Sequence, residues 1–248
     1  MPKIENDPKL DFSSVLIRPK RSELSSRSLV NLNRKITFKH AKIERCDPNH
    51  SRAFCEERSW EGVPIVSANM DTTGTFEVYN TLKDHNIVTA IHKFYSVEDF
   101  KKANQEYTLN PDLFMVSTGI SSTDYNKLIT ILSVVNCNWI CVDIANGYIK
   151  QFVEFCRKVR QTYPDKIIVA GNVATREMVE ELILNGGVDV VKVGIGPGSA
   201  CTTRIKTGVG IPQLSAILEC SDAAHGAGGR IIADGGITCP GDMAKAFG

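Results

Sequence analysis

The chain has 248 residues, of which 42% are hydrophobic, 7% aromatic and 23% charged, and its formal net charge is +1. This length predicts one large domain or two small ones with a substantial core. The balanced charge excludes a general attraction to nucleic acid or to an anionic membrane surface. No apolar run approaches the roughly 20 residues that span a bilayer, and the charged first twenty residues do not match a secretory signal. We therefore expect a globular cytoplasmic protein with no nucleic-acid or membrane partner.

Residues 1–62 are predicted to be an N-terminal segment that includes an irregular loop. Its polar stretch 40–60 contains His40, Cys46, His50 and Cys55, and these residue types bind zinc. Their spacing matches no zinc-finger pattern, however, and charge-rich loops contain such residues by chance. The eight cysteines of the chain form no C-x-x-C pair, and without a signal segment we expect no disulfides. The sequence therefore favours a loop without a metal.

From residue 63 onward, short β-rich segments alternate with amphipathic stretches. The segments recur about every 22 to 28 residues through six units, which indicates a βα repeat. Nearly continuous apolar strands between helical patterns are typical of parallel strands covered by helices. A doubly wound sheet and a (β/α) barrel both fit, but no G-x-G-x-x-G follows the first strand, so we predict a TIM-type barrel. The seven segments are VPIVSANM, NIVTAIH, LFMVSTG, WICVDIANG, KIIVAGNV, VDVVKVGIG and GRIIADGG.

The segment 175–186 is the clearest predicted helix. Thr175 is its expected N-cap, and Gly186–Gly187 are its expected end. Its apolar residues follow the i, i+3, i+4 spacing of one helical face, at Met178, Val179, Leu182 and Ile183.

The barrel predicted over residues 63–248 is incomplete, because seven strands are found where a TIM barrel has eight. The chain ends in a helical pattern that begins near Pro240. The final strand and helices would then be absent, as expected for a C-terminally truncated chain. The chain is therefore interpreted as a fragment or splice product of a longer protein, or as one whose open edges a partner covers.

Polar residues gather where the predicted strands end. In a barrel these ends meet on the face where active sites are built, so we expect a shared site. The alternative for each residue alone is a helix cap or a strand end. The residues are Ser67, Asn69, Asp71, His92, Lys93, Ser117, Thr118, Asp143, Asn146, Asn172, Lys192 and Asp234.

The sharpest motif is GIGPGSACTTR, which covers residues 194–204 and continues to Gln213. Its glycines let the backbone approach a ligand or an ion closely. Cys201 lies outside any apolar run, and the nearby Arg204 would favour the thiolate, so we predict a nucleophile rather than an incidental thiol in a turn. His92 and His225 are open as partners for a protease-like pair, but the spacing points to neither.

A second loop, Ala233–Gly236, follows the last predicted strand. Its glycines would let backbone N–H groups face an anion, and Asp234 could accept hydrogen bonds from a ribose hydroxyl pair. A plain Asp-Gly-Gly turn explains the loop equally well.

Taken together, these motifs resemble the family of IMP dehydrogenases and GMP reductases. The resemblance covers essentially the whole chain apart from residues around 43 to 60. Within the family, residues 143–148 and the absence of room for a regulatory domain of about a hundred residues favour the reductase branch. The carrying motifs are KLDFSSVLIRPKRS, ANMDTTGTFE, TAIHKFYS, DIANGY, AGNVATREMVEELI, KVGIGPGSACTTRIKTGVGIPQLSA and ADGGITCPGDMAKAFG.

The resemblance implies NADPH-dependent conversion of GMP to IMP and ammonia in a homotetramer. Cys201 would form a thioimidate at purine C2, and Thr203 would take the acid–base role. The other implied contacts are Asp234, Gly235 and Gly236 to the nucleotide; Gly196, Gly198, Cys201 and Arg204 to potassium or another monovalent cation; and Ser26, Arg27, Lys93, Asp143, Ile144, Ala145, Ile195 and Gly196 to the cofactor.

Two alternatives stay open at this point. Oxidation of IMP with NAD would use the same nucleophile and differ mainly in what attacks the thioimidate. A chain without the family's remaining phosphate loop and its flap would be catalytically impaired, and would then act as an assembly subunit.

Overall fold

The structure is a computed structural model, and it describes residues 6–46 and 53–248. Its strands lie in one sheet in chain order, from β1 to β8. The first pair is antiparallel, and every later pair is parallel. The strands are β1 (Arg34–Cys46), β2 (Ala53–Ser67), β3 (Ile87–Ile91), β4 (Phe114–Thr118), β5 (Trp139–Asp143), β6 (Ile167–Val173), β7 (Val190–Val193) and β8 (Arg230–Ala233).

Helices alternate with the parallel strands, so the predicted α/β fold is confirmed. All seven segments predicted as strands form the parallel part of the sheet, which begins with the second half of β2. The helices are α1 (Phe76–Leu82), α2 (Val97–Tyr107), α3 (Ser122–Val134), α4 (Lys150–Thr162), α5 (Arg176–Leu184), α6 (Thr203–Thr207), α7 (Gln213–Ala227) and α8 (Pro240–Phe247).

The parallel strands curl as they do in a TIM barrel. Lys192 on β7 donates a hydrogen bond from Nζ to Oδ1 of Asn69, just after β2, over 2.9 Å. In a flat sheet these strands, five steps apart, would be separated by about 24 Å. The sheet does not close, because no pairing joins β8 to β2 among the described residues.

The predicted helix at 175–186 is observed as α5, with one difference at its start. Val179, Leu182 and Ile183 are buried, as their spacing predicts. Thr175 stands at the N-cap, but its side chain makes no capping hydrogen bond. Instead, its hydroxyl accepts a hydrogen bond from the Tyr148 hydroxyl over 3.1 Å, so a tertiary contact replaces the local one.

The segment that the sequence suggested as an irregular loop contains a long hairpin in its described part. Strands β1 and β2 pair from Arg34 with Gly62 to Cys46 with Ala53. Strand β2 then continues without a turn and pairs in parallel with β3 from Val63 onward. Charged side chains at 42, 45, 56 and 57 form ion pairs across the hairpin and hide its alternating pattern in the sequence.

The hairpin packs against the amino-terminal end of the barrel. The ring of Trp139 lies 5.3 Å from Phe38 and 5.8 Å from Trp60, both edge-on. Both indole N–H groups donate to the carbonyl oxygen of Asp112. This end of the barrel is therefore closed by apolar packing.

A buried carboxylate links the hairpin to the barrel. Asp189, 1% exposed, precedes β7 and accepts backbone hydrogen bonds from His40 and Ala41, each over 3.1 Å. Its other oxygen accepts from the Ile168 N–H over 2.9 Å and pairs with the Arg160 guanidinium. One side chain thus satisfies donors on β1, β6 and α4.

No helix in the described part of the chain is both long and apolar enough to cross a bilayer. The seven cysteines whose side chains are described all carry free thiols.

Candidate active site

A cavity of about 420 Å³ opens at the carboxyl ends of the parallel strands. Its walls come from the segments that follow β2, β3, β5, β6, β7 and β8, together with the loop before α6. The lining residues are Ala68, Asn69, Met70, Lys93, Asp143, Ile144, Ala145, Asn172, Lys192, Gly194, Ile195, Gly196, Cys201, Thr203 and Asp234.

A buried ammonium group forms the floor of this cavity. Lys192 Nζ lies 2.9 Å from Asn69 Oδ1 and 2.5 Å from Asp143 Oδ1. It also lies 3.3 Å from Asp234 Oδ2. Burial by itself lowers the pKa of Lys192, but the Cys141 sulfur and the two carboxylates outweigh burial and raise the pKa above its usual value. The floor therefore carries a permanent cation.

The end of β8 is fixed by two amide side chains. Asn172 Nδ2 donates to Asp234 Oδ2 and to the Gly194 carbonyl, each over 2.8 Å. Gln213, fully buried at the start of α7, donates from Nε2 to the carbonyl oxygens of Val193 and Asp234. The sequence motif ran as far as Gln213, but sequence reasoning gave it no role. No local signal in the sequence marks it, because the helix that it begins contains several other polar residues.

The Cys201 thiol is exposed at the rim of the cavity. Its sulfur lies 3.3 Å from Thr203 Oγ1. Hydrogen bonds from the Thr203 hydroxyl and backbone N–H, with a smaller contribution from the charge of Arg204, lower the pKa of Cys201. A thiol with a lowered pKa carries more of the nucleophilic thiolate at neutral pH.

Arg204 holds the loop that carries this thiol. Its guanidinium donates from Nε to the Ile195 carbonyl over 3.1 Å and from a terminal nitrogen to the Ile211 carbonyl. Gly196 and Gly210 both have positive φ angles, and a Cβ at either would crowd the Arg204 side chain. The loop therefore closes around the half-buried Arg204 side chain, and the carbonyls of Ile195 and Ile211 bond to the same guanidinium.

The family model described as the IMP dehydrogenase / GMP reductase domain matches residues 9–248. The chain belongs to this family.

Curated relatives in the family include proteins named GMP reductase. The one from Vibrio cholerae serotype O1 is 54% identical over 250 aligned residues, and the one from Photobacterium profundum is 56% identical over 250. The one from Shewanella pealeana is 55% identical over 248. Each alignment covers 99% of this chain and 67% of the relative, so the chain spans about two thirds of their length.

Most of the residues assigned from the family resemblance lie together around the cavity. Nine of them line it: Lys93, Asp143, Ile144, Ala145, Ile195, Gly196, Cys201, Thr203 and Asp234. Gly198, Arg204, Gly235 and Gly236 lie in the adjoining loops and do not line it, and a Cβ at Gly235 or Gly236 would meet Pro197. Ser26 and Arg27 lie apart, at an exposed 3-10 turn of the N-terminal segment.

The twelve polar residues at the strand ends divide into two groups. Half line the cavity, at Asn69, Lys93, Asp143, Asn172, Lys192 and Asp234. Three of the others form hydrogen bonds with nearby backbone groups instead, as expected from the alternative of a helix cap or a strand end. The Ser67 hydroxyl donates to the Thr73 carbonyl, the Thr118 hydroxyl to the Gly119 carbonyl, and Asn146 Oδ1 accepts from the Tyr148 N–H.

The two histidines considered as partners for Cys201 do not line its cavity. His92 is buried and stacks on Tyr95 with ring centroids 4.2 Å apart, and burial lowers its pKa. His225 lies in the last turn of α7.

Among residues 6–46 and 53–248, no group of three metal-binding side chains is found. His50 and the side chain of Cys46 lie outside what the structure describes.

Gly194 is the glycine on which the shape of the site depends most. Its φ is +147°, and a Cβ there would overlap the Asp234 carbonyl oxygen. We expect Gly194→Ala to lower the free energy of unfolding by about 2 kcal/mol, because β8 must move away. Urea denaturation measures this. Gly226→Ala in α7, where a Cβ meets nothing within 4 Å, is the control and should be neutral or stabilising. An equal stability for G194A and wild type would contradict the expected overlap.

Proposed function

We propose that the chain catalyses the NADPH-dependent reductive deamination of GMP to IMP and ammonia. One observation carries the proposal: an exposed thiol with a lowered pKa shares a cavity with Lys93, Asp143 and Asp234. Relatives more than 50% identical are named GMP reductase. The reaction proposed from these relatives needs a nucleophile, and Cys201 is the residue of the cavity that would provide it.

Cys201 would act as the nucleophile of a covalent mechanism. Its thiolate attacks C2 of GMP, the C2–N2 bond breaks, and the amine leaves as ammonia after it gains a proton. Thr203, whose hydroxyl oxygen accepts a hydrogen bond from the Cys201 thiol, would take up the thiol proton and pass its own hydroxyl proton to the leaving amine. The resulting thioimidate accepts a hydride at C2, and the C–S bond then breaks to release IMP and the thiolate.

Asp234 would hold the nucleotide. Its carboxylate is fixed by Asn172 and Lys192, and it faces the cavity close to the loop of Cys201. A fixed carboxylate can accept two hydrogen bonds from adjacent ribose hydroxyls. Gly235 and Gly236 follow with positive φ angles, so their backbone can approach the nucleotide without side-chain obstruction.

The same cavity also has residues that suit a dinucleotide cofactor. Lys93 offers a cation for phosphate, and residues 143–145 and 195–196 offer backbone groups and apolar side chains for a planar ring. NADPH bound there would supply the hydride. Ser26 and Arg27 stay part of the proposed cofactor set, although they do not line this cavity.

A monovalent cation would be held by backbone carbonyl oxygens of the Cys201 loop. Oxygen ligands suit a hard cation. The carbonyls of Gly198 and Arg204 each accept one backbone hydrogen bond, from Cys201 and Gly208, and keep a second lone pair for the ion. The cation would fix the loop and would take no part in bond making. Gly196 and Cys201 complete the proposed ligands.

The proposal includes self-association, to a homotetramer by family resemblance. Large apolar side chains of the N-terminal segment are exposed, and surfaces of this kind mark protein contacts. They include Leu16, Ile17, Leu24, Leu29 and Leu32.

The activity can be tested by following NADPH absorbance with the purified chain. We expect GMP-dependent oxidation of NADPH, together with release of ammonia in equal amount. Reduction of NAD with IMP, tested in parallel, would replace the proposal by IMP oxidation. No turnover in either direction from a folded, monodisperse sample would contradict an enzyme, and a change in the activity of an added full-length relative would then indicate an assembly subunit.

A further inference from the structure

Lys192 has a position that the proposed chemistry does not explain. Its side chain is 9% exposed, and three oxygens from three segments lie within 3.3 Å of its ammonium group. These are Oδ1 of Asn69 after β2, Oδ1 of Asp143 at the end of β5 and Oδ2 of Asp234 after β8. Hydrogen bonds to Asn69 and Asp143 use two of the three N–H donors of the ammonium group, and Asp234 forms an ion pair with it.

We propose that Lys192 is a positioning residue that holds the carboxylates of Asp143 and Asp234 together by offsetting their mutual repulsion. This rests on the proposed function, in which Asp143 serves the cofactor and Asp234 the nucleotide. Side chains of the chain itself surround the ammonium group, so we assign Lys192 no contact with the reacting atoms.

Two acidic side chains share this one counter-ion. Both carboxylates lie within 3.3 Å of the same nitrogen, and their side chains are 26% and 28% exposed. Two carboxylates that share a partly buried site without a cation repel each other. An Asp234 carboxylate that moves away would lose the orientation in which it can accept hydrogen bonds from ribose hydroxyls.

The other titratable groups near the site do not replace Lys192. Cys141 on β5 lies beneath it, and burial raises the pKa of that thiol to about 11, so it is neutral at physiological pH. Cys201 and Lys93 line the same cavity, but neither has an ion pair with Asp143 or Asp234 among the contacts of the described chain. Asn172 on β6 is neutral and orients Asp234 without balancing its charge.

The test compares Lys192→Met with wild type by GMP binding and by urea denaturation. Met keeps the length of the stem and removes the charge. In K192M the dissociation constant for GMP should rise about tenfold, because the repulsion between Asp143 and Asp234 is then no longer offset and Asp234 moves from its place.

A second substitution in K192M provides the control. Adding Asp143→Asn removes one of the two carboxylates that repel each other, so Asp234 should return to its place and GMP affinity should recover at least in part. Lys192→Arg should keep GMP affinity close to that of wild type, since it keeps the cation. Circular dichroism checks that each variant is folded.

The outcomes separate this proposal from the proposed function. An unchanged GMP affinity in folded K192M would overturn the role of Lys192. An equal loss of GMP affinity in K192M and in the double variant would do the same, because it would indicate a packing defect. If wild type does not bind GMP, the proposed function fails, and urea denaturation decides the role of Lys192: the free energy of unfolding should fall in K192M and recover in part in the double variant.

Discussion

Replacing Cys201 by serine should lower GMP-dependent NADPH oxidation at least about a thousandfold while the fold is retained. The serine hydroxyl has no comparable anionic form near neutral pH, so the covalent step loses its nucleophile. The side chain is exposed at the rim of the cavity and supports no packing, so stability should change by less than about 0.5 kcal/mol. NADPH absorbance measures the activity, and urea denaturation measures the stability.

Cys55→Ser is the matched control for this variant. Cys55 is also an exposed free thiol, but it lies on the hairpin and not among the residues of the cavity. C55S should therefore keep the activity of wild type. Equal activity of C201S and C55S would remove the nucleophile from the proposed mechanism.

Replacing Asp189 by asparagine should lower the free energy of unfolding by about 3 to 5 kcal/mol. The Arg160 guanidinium would lose its buried counter-charge, because its other partners are carbonyl oxygens. The asparagine NH₂ group would also face either that guanidinium or backbone N–H groups that need an acceptor. Urea unfolding followed by circular dichroism measures the loss.

Asp165→Asn provides the comparison for this variant. Asp165 also pairs with an arginine, Arg58, but its side chain is 40% exposed, and such pairs contribute roughly 0 to 1 kcal/mol. A similar small loss in D189N would show that the links between hairpin and barrel do not depend on the buried carboxylate.

The fold was predictable from local pattern where strands are buried on both faces. The segments around Val88, Val116, Ile140 and Val191 are mostly apolar, and each forms a parallel strand. The hairpin was missed because its outer half is held by cross-strand ion pairs such as Arg45 with Glu56, which leave no apolar alternation. Pairing across a turn is not visible from one strand alone.

The site was predictable to the extent that its residues are local in sequence. Cys201 and Thr203 lie in one recognisable loop, and they meet in the structure. The roles of Lys192 and Gln213 depend instead on partners that are 123 and 21 positions away, at Asn69 and Asp234. Contacts of that kind arise from the curl of the sheet, and no spacing rule encodes them.

The chain has two tryptophans, and both donate to one carbonyl oxygen at the closed end of the barrel. Tryptophan fluorescence therefore reports on a single location, at the end of the barrel opposite the rim of the cavity. A red shift signals that water has reached the seal between hairpin and barrel.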